Sequence, residues 1–180
     1  MISKKESHGR IGEAAVAAKC WMHGIRAWDT GGLRRNFAGS DLLIDTPSLH
    51  RKLLVQVKTG YITTPGHVYL TQCTGERDMT DDKFDADFVV FVNLDPRVAA
   101  AHEHDGSLDF SHLSFYVVPR DAANRIFKRE VKKGYERPLR NGGQRKLTYM
   151  AVSVPTSEMD QYRDAWHILK NTPNNAVTDA

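Results

Sequence analysis

The sequence predicts a mixed α/β sandwich built on one central sheet, and three observations predict it. A helix-forming series near the N-terminus is followed by three short strand candidates. An apolar run of strand length, residues 87–93, is typical of a strand buried on both faces. A further strand candidate is followed by a helix, and no linker or repeat divides the chain. The 180 residues therefore predict one domain, 1–170, and a flexible polar tail, 171–180.

The N-terminal part of the chain predicts a helix and a hairpin. Ser3 and Glu6 have the spacing of a capping box, and Gly24 is placed as a C-cap after an alanine-rich series that ends at Met22. Five segments follow in chain order: a short strand at 25–28, a polar loop at 29–38, a strand at 41–45, a turn at 46–48 and a strand at 53–58. The last two strands are expected to pair as a hairpin.

The remainder of the chain predicts further strands and two helices. These segments are a weaker strand at 68–72, a short helix or capped turn at 80–86, the buried strand at 87–93, a polar loop at 97–111, a strand at 113–118, a helix at 121–133, a late strand at 146–154 and a helix at 157–170. In the last helix, Tyr162, Trp166 and Leu169 are spaced to lie on one face.

Composition restricts the class of protein. Apolar residues make up 41% and charged residues 26%, which are ordinary values for a soluble globular protein. The longest apolar stretch, 88–92, is far shorter than the roughly 17 residues that a membrane-spanning helix needs. The charged N-terminus is followed by no apolar segment, and Cys20 and Cys73 form no CxxC pair. We therefore expect a cytoplasmic protein without a disulfide framework or a structural zinc site.

A net charge of +3 conceals a basic stripe between residues 120 and 146, where ten Lys and Arg residues face three acidic ones. Such a stripe suits a polyanion, because each neutralised phosphate releases condensed counterions. A solvated helix face is the alternative interpretation. The candidates for DNA binding in the predicted helix are Arg125, Lys128, Arg129, Lys132 and Lys133.

The strand at 53–58 carries two polar side chains on one face. Alternation places Gln56 and Lys58 together, opposite the apolar residues of odd number. Asp41 opens the preceding strand, so the hairpin is expected to bring a carboxylate, an amide oxygen and an ammonium together. A hard cation takes such oxygen ligands, and a lysine beside it stabilises charge on a phosphate. The set predicts magnesium-assisted phosphodiester hydrolysis; the alternative is an exposed sheet edge.

These residues resemble the bipartite motif of the PD-(D/E)xK nuclease superfamily. Asp41 is followed, after fourteen residues, by Gln56-Val57-Lys58, and the helix with Glu13 resembles the first helix of that family. The superfamily includes restriction enzymes, Holliday junction resolvases and small homing endonucleases. The resemblance spans roughly residues 5–133 and implies a restriction endonuclease-like sandwich, in which helices flank a central mixed sheet in an αβββαβ core.

The resemblance also implies a role for each residue. Asp41 would be the main metal ligand, Gln56 and the backbone carbonyl of Val57 further ligands, Glu13 an outer or direct ligand, and Lys58 the catalytic lysine. It implies a Mg²⁺-dependent endodeoxyribonuclease in which Mn²⁺ can substitute. The expected partner is DNA, cut by a homodimer or higher homo-oligomer, with no membrane involved. Gln56 replaces the usual acid and lacks its charge, so it binds a cation more weakly.

Two alternatives remain at this point. One is a nuclease-fold module that binds nucleic acid without turnover, and the other is a module that binds another protein. Three arginines are further candidates for phosphate contacts near the cation, or are solvated: Arg10, Arg34 and Arg35. The series His102–Asp105 lacks a second group of ligands, so no metal site is expected there. The aspartates between residues 81 and 87 predict a capped, solvated turn.

Overall fold

A long N-terminal helix is followed by a series of strands in a computed structural model that describes residues 4–30, 39–46, 51–61, 64–95, 112–138 and 150–171. The helices are α1 (Lys4–Met22), α2 (Arg120–Glu136) and α3 (Ile168–Asn171). The strands are β1 (Arg26–Asp29), β2 (Leu42–Thr46), β3 (Arg51–Tyr61), β4 (His67–Cys73), β5 (Phe88–Leu94), β6 (Leu113–Pro119) and β7 (Met150–Pro155). Three 3₁₀ turns lie at Glu76–Met79, Thr156–Glu158 and Asp160–Tyr162.

Helix α1 ends as the sequence predicts. Gly24 has φ +72°, a left-handed conformation that closes a helix at its C-terminus and favours glycine. Several predictions fall outside the described residues: Ser3 of the capping box, most of the loop at 29–38, the loop at 97–111, the start of the late strand and the tail after 171. None of the helices in the described ranges has the length and apolar character needed to cross a bilayer.

Five strands form the central sheet in the order β1-β2-β3-β5-β6. β2 is antiparallel to both β1 and β3, β3 is parallel to β5, and β6 is antiparallel to β5. All seven residues of β5 are buried, as expected for the central strand of a covered sheet. The predicted mixed α/β sandwich and its hairpin are therefore confirmed.

β4 and β7 form a second, two-stranded sheet, which the sequence did not predict. An αβββαβ order would place a helix between β3 and β5. The structure has β4 and the 3₁₀ turn at Glu76–Met79 in that part of the chain. Asn93 joins the two sheets. Its side-chain oxygen accepts a hydrogen bond from the Tyr69 N–H at 2.6 Å, and its amide donates to the Tyr69 carbonyl at 3.0 Å. The buried amide is thereby satisfied and holds β4 against β5.

The central sheet separates two apolar cores. On one face, the odd-numbered residues of β3 pack with α1; the members include Leu53, Val55, Val57, Val16 and Cys20. On the other face, β5 and β6 pack with α2 and with the second sheet; the members include Val89, Phe91, Phe127, Val131, Leu70 and Val152. Because side chains alternate along a strand, the even-numbered residues of β3, including Gln56 and Lys58, point to the face away from α1.

The predicted helix at 157–170 is wrong. Two 3₁₀ turns and the four-residue helix α3 occupy this segment. Asp164 has φ +48°, which interrupts a right-handed helix, and its N–H donates to the Phe115 carbonyl at 3.0 Å. Trp166 and Leu169 lie in the core on the α1 side of the sheet, whereas Tyr162 packs against the opposite core. The segment therefore packs against β6 through this hydrogen bond and does not form the amphipathic helix that was predicted.

Candidate active site

β2 and β3 separate at Asp41, and the candidate site lies at this separation. The backbone N–H of Asp41 donates to the Val55 carbonyl at 2.9 Å. Two residues further along β3, the N–H of Val57 donates to Oδ2 of the Asp41 side chain at 2.6 Å. The carboxylate oxygen therefore replaces a backbone carbonyl of the neighbouring strand as the acceptor for the Val57 N–H.

The backbone around Asp41 is held from β1. The Thr30 hydroxyl is buried and donates to the Ser40 carbonyl at 2.8 Å, while the Thr30 N–H donates to the Asp41 carbonyl at 3.0 Å. Gly39, with φ +83°, makes the turn that leads into this segment. These contacts engage the carbonyls on both sides of the Asp41 Cα and so hold the backbone that carries the carboxylate.

Gln56 and Lys58 lie on β3, where they are paired with Val89 and Phe91 of β5. Oε1 of Gln56 is buried and accepts no hydrogen bond from any described residue. A buried amide oxygen without a donor costs roughly 1–3 kcal/mol, and an electropositive ligand would remove that cost. Burial lowers the pKa of Lys58, the nearby Asp41 opposes this shift, and the ammonium of Lys83 adds to it.

Helix α1 brings Glu13 to the same site. Its carboxylate forms an ion pair with Arg10 at 3.0 Å, and the Arg10 guanidinium lies 3.7 Å from the carboxylate of Asp29. Burial raises the pKa of Glu13, and the negative charge of Asp41 raises it further. Burial also raises the pKa of Asp41, although the Val57 N–H and Lys58 act in the opposite direction. Two neighbouring carboxylates with raised pKa values indicate a site that would gain from additional positive charge.

The oxygen donors at this point suit a hard cation. They comprise two carboxylates, the Gln56 amide oxygen, which accepts no hydrogen bond from a described residue, and the backbone carbonyl of Val57. Magnesium is typically bound by one or two carboxylates, with water and phosphate oxygens completing its shell. Among the described residues, no three His, Cys, Asp or Glu side chains are grouped as metal ligands. The donor set therefore fits the sparse protein ligation that Mg²⁺ accepts.

The basic face of α2 is largely occupied by ion pairs. The pairs are Lys128–Asp82 at 2.6 Å, Arg129–Glu130 at 2.9 Å, Arg129–Glu158, Lys133–Glu130 at 2.8 Å and Lys132–Glu136 at 3.8 Å. Two of these acids, Asp82 and Glu158, are distant in sequence from the stripe. Arg125 is exposed and forms no ion pair within the described part of the chain. Arg34, Arg35 and the series His102–Asp105 lie outside the described residues.

Two residues beside the site were missed by the sequence analysis. The Asp87 carboxylate accepts a hydrogen bond from the N–H of Leu54 at 2.8 Å. Asp41 directly precedes β2 and Asp87 directly precedes β5, and each accepts a hydrogen bond from a backbone N–H of β3, the strand between them. The position of Asp87 directly before a strand, like that of Asp41, was the available signal. Lys83 approaches Lys58 from the segment after β4, and its ammonium lies 3.1 Å from both oxygens of Asp78. No local pattern indicates that contact.

Comparisons with known proteins find a likeness in structure but none in sequence. No protein-family model matches the chain, and no curated protein matches it in sequence. The solved structure of a bacterial homing endonuclease, I-Ssp6803I, is similar at 24% identity and a TM-score of 0.47, over 94% of this chain and 93% of that one. A likeness of this size identifies no function.

Proposed function

We propose that the protein is a Mg²⁺-dependent DNA endonuclease whose active site comprises Glu13, Asp41, Gln56 and Lys58. The observation that carries the proposal is the separation of β2 from β3 at Asp41. At that point there are a carboxylate, a buried amide oxygen that accepts no hydrogen bond from the described residues, and a partly buried lysine. Burying these polar groups lowers the stability of the fold, because their neighbours offset only part of the free energy lost when they leave water. A purely structural role would not explain that cost.

Asp41, Gln56, Glu13 and the Val57 carbonyl would hold the cation. The N–H of Val57 points to Asp41, and the C=O of the same residue in an extended strand points to the same edge. Asp41 keeps Oδ1 for a cation, since the hydrogen bond from Val57 uses Oδ2. When bound, Mg²⁺ lowers the pKa of a water and neutralises charge that develops on the phosphate. Mn²⁺ is expected to replace Mg²⁺, because both prefer oxygen ligands.

Lys58 has the position and the environment to act on the phosphate. Its ammonium would stabilise negative charge on the phosphate oxygens, and a partly buried cation does so more effectively than an exposed one. Because burial lowers the pKa of Lys58, this lysine also exchanges a proton more readily than a surface lysine. Arg10 holds the Glu13 carboxylate on α1 beside Asp41.

DNA would be bound by basic residues around the site and along α2. The proposed contacts are Arg10, Arg34, Arg35, Arg125, Lys128, Arg129, Lys132 and Lys133. Each chain offers one candidate site, so cleavage of both strands of a duplex calls for a symmetric homodimer or higher homo-oligomer. The symmetry of the protein would then match the symmetry of the target.

Cleavage of labelled DNA tests the proposal. Duplex, branched and single-stranded DNA, with RNA as the control, are incubated with Mg²⁺, Mn²⁺ or EDTA, and wild type is compared with Asp41→Ala and Lys58→Ala. We expect metal-dependent cleavage that both substitutions abolish. A wild type that binds DNA with a steep salt dependence but cuts nothing in any metal would instead be a nucleic-acid-binding module.

A further inference from the structure

Helix α1 lies against β3 through a glycine. A Cβ atom on Gly12 would lie 1.8 Å from Oγ1 of Thr59, closer than side chains approach one another, and 3.0 Å from Cβ of Thr59, which is a tight contact. Any residue other than glycine at position 12 would therefore displace either the helix or Thr59. Oγ1 of Thr59 is buried and forms no hydrogen bond with the described residues, so shape rather than polar bonding governs this contact.

A second contact sets the register of the helix along the strand. Nε2 of His8 and the hydroxyl of Tyr61 are hydrogen-bonded at 2.5 Å, and their rings meet edge to face. From His8 to Gly12 the helix rises about 6 Å. From Tyr61 to Thr59 the strand covers about 6.6 Å in the opposite direction. The two contacts therefore match in spacing and hold α1 antiparallel to β3.

Glu13 follows Gly12 directly, so its position depends on this packing. Its carboxylate interacts with Asp41 and Lys58, while the peptide backbone that carries it lies next to the Gly12 contact. A helix moves as a rigid unit, and a shift of about 1 Å at a catalytic group can lower a rate by about a hundredfold. We propose that Gly12 and Thr59 are positioning residues that hold Glu13 at the active site; this inference rests on the proposed function.

The chain supplies a matched control. Gly9 lies in the same helix, three residues before Gly12, and a Cβ there would meet no atom within 4 Å. Gly9→Ala and Gly12→Ala gain the same intrinsic helix propensity. They differ in that only the second introduces a methyl group at the β3 interface. Any difference between the two variants therefore reports the contact with Thr59.

The experiment measures Mn²⁺ affinity by titration calorimetry, DNA cleavage and thermal unfolding. Gly9→Ala is expected to bind Mn²⁺ and cut DNA as wild type does. Gly12→Ala is expected to lose about 10- to 100-fold in Mn²⁺ affinity and in cleavage rate. Thr59→Ala, introduced into Gly12→Ala, makes room for the new methyl group and should restore both quantities. Should Gly12→Ala fail to fold, Thr59→Ile enlarges the same contact from the strand and is expected to cause the same losses.

Two results would overturn the inference: a folded Gly12→Ala with wild-type affinity and rate, or a loss that Thr59→Ala does not reverse. Wild-type behaviour of Thr59→Ile would overturn it equally when Gly12→Ala does not fold. In each case an active wild type leaves the proposed function standing. A wild type that neither binds Mn²⁺ nor cuts DNA removes the proposed function, and the positioning role falls with it.

Discussion

Oδ2 of Asp41 lies 2.6 Å from the backbone nitrogen of Val57 and accepts its hydrogen bond. Asp41 therefore has a structural contact as well as a proposed role as a metal ligand. An asparagine can accept the same hydrogen bond through its side-chain oxygen but carries no charge. The two roles can thus be separated by substitution.

We expect Asp41→Asn to fold as stably as wild type and to lose metal-dependent cleavage. Asp41→Ala should lose cleavage too, and its free energy of unfolding should fall by about 1–3 kcal/mol, because the Val57 N–H loses its acceptor. Urea unfolding and cleavage assays on both variants measure these effects. Equal destabilisation by Asn and Ala would contradict the separation of roles.

Lys58→Met is expected to stabilise the protein while lowering its activity. Because burial lowers the pKa of Lys58, the unfolded chain holds the proton more tightly, so the charged lysine lowers stability at neutral pH. Methionine keeps the apolar stem and removes that charge, which should raise the free energy of unfolding by about 1 kcal/mol. The cleavage rate should fall by an amount equivalent to about 3 kcal/mol in the barrier.

Lys52→Met is the control for this variant, because Lys52 is an exposed lysine on the same strand. Its substitution should change neither the free energy of unfolding nor the cleavage rate. A loss of stability in Lys58→Met, measured at the same pH, would show that the ammonium is stabilised by its neighbours rather than penalised by burial.

Local sequence patterns predicted much of the central sheet and the proposed arrangement of the site on β3. Alternation along residues 53–58 correctly placed the odd-numbered side chains in the core on the α1 side, and the apolar run at 87–93 became the buried strand β5. The hairpin then brought Asp41 to β3, since its turn joins strands that are close in sequence. These features depend on residues within about 20 positions of one another, where periodicity and turn chemistry are informative.

The features that the sequence did not predict, and the helix at 157–170 that was predicted wrongly, depend on contacts between distant segments. The second sheet is held by Asn93 and Tyr69, and the C-terminal helix is replaced because Asp164 bonds to Phe115. The partner of Lys128 in the basic stripe is likewise distant in sequence, since Asp82 reaches it from another segment. Helical periodicity is a weak signal when the tertiary structure offers a segment different partners.

Gln56→Glu tests the donor set directly. Without a metal, the variant adds a third carboxylate near Glu13 and Asp41, so its melting temperature should lie below that of wild type. At a fixed saturating Mn²⁺ concentration, the added charge should tighten binding, so the metal should stabilise the variant by more than it stabilises wild type, because this stabilisation grows as the dissociation constant falls. The expected sign of the change therefore reverses between EDTA and Mn²⁺. Gln72→Glu, on β4, is the control and should show no such reversal. An identical response of both variants to metal would exclude Gln56 from the site.

The Asp78–Lys83 pair predicts an acid-dependent loss of stability. Burial raises the pKa of Asp78, but hydrogen bonds from the Thr74 N–H and the Lys83 ammonium outweigh it, so the pKa lies below its ordinary value. The stabilisation is therefore present above the ordinary aspartate pKa of about 4 and is lost as the pH falls through the folded-state pKa. Asp78→Asn should lower the free energy of unfolding by about 1.5–3 kcal/mol at pH 7.

Urea unfolding of wild type and Asp78→Asn over a range of pH measures this effect. The difference between the two proteins should shrink as Asp78 becomes protonated in the wild type. Asp160→Asn is the control, because Asp160 is exposed and its substitution should leave the acid limb of the stability curve unchanged. A constant difference between wild type and Asp78→Asn at every pH would mean that the charge of Asp78 does not contribute.

The ion pairs on α2 predict which of its basic residues bind DNA through charge. Arg125 forms no ion pair with the described residues, whereas the Lys128 ammonium lies 2.6 Å from Asp82. Arg125→Ala should weaken binding to all sequences and reduce the salt slope of the affinity by about 1. The double variant Asp82→Ala/Lys128→Ala removes one negative and one positive charge together, so its slope should fall by less than that of Arg125→Ala. Fluorescence anisotropy at several salt concentrations measures both slopes. An unchanged slope in Arg125→Ala would mean that α2 presents a solvated face, and the DNA contacts would then have to come from other basic residues.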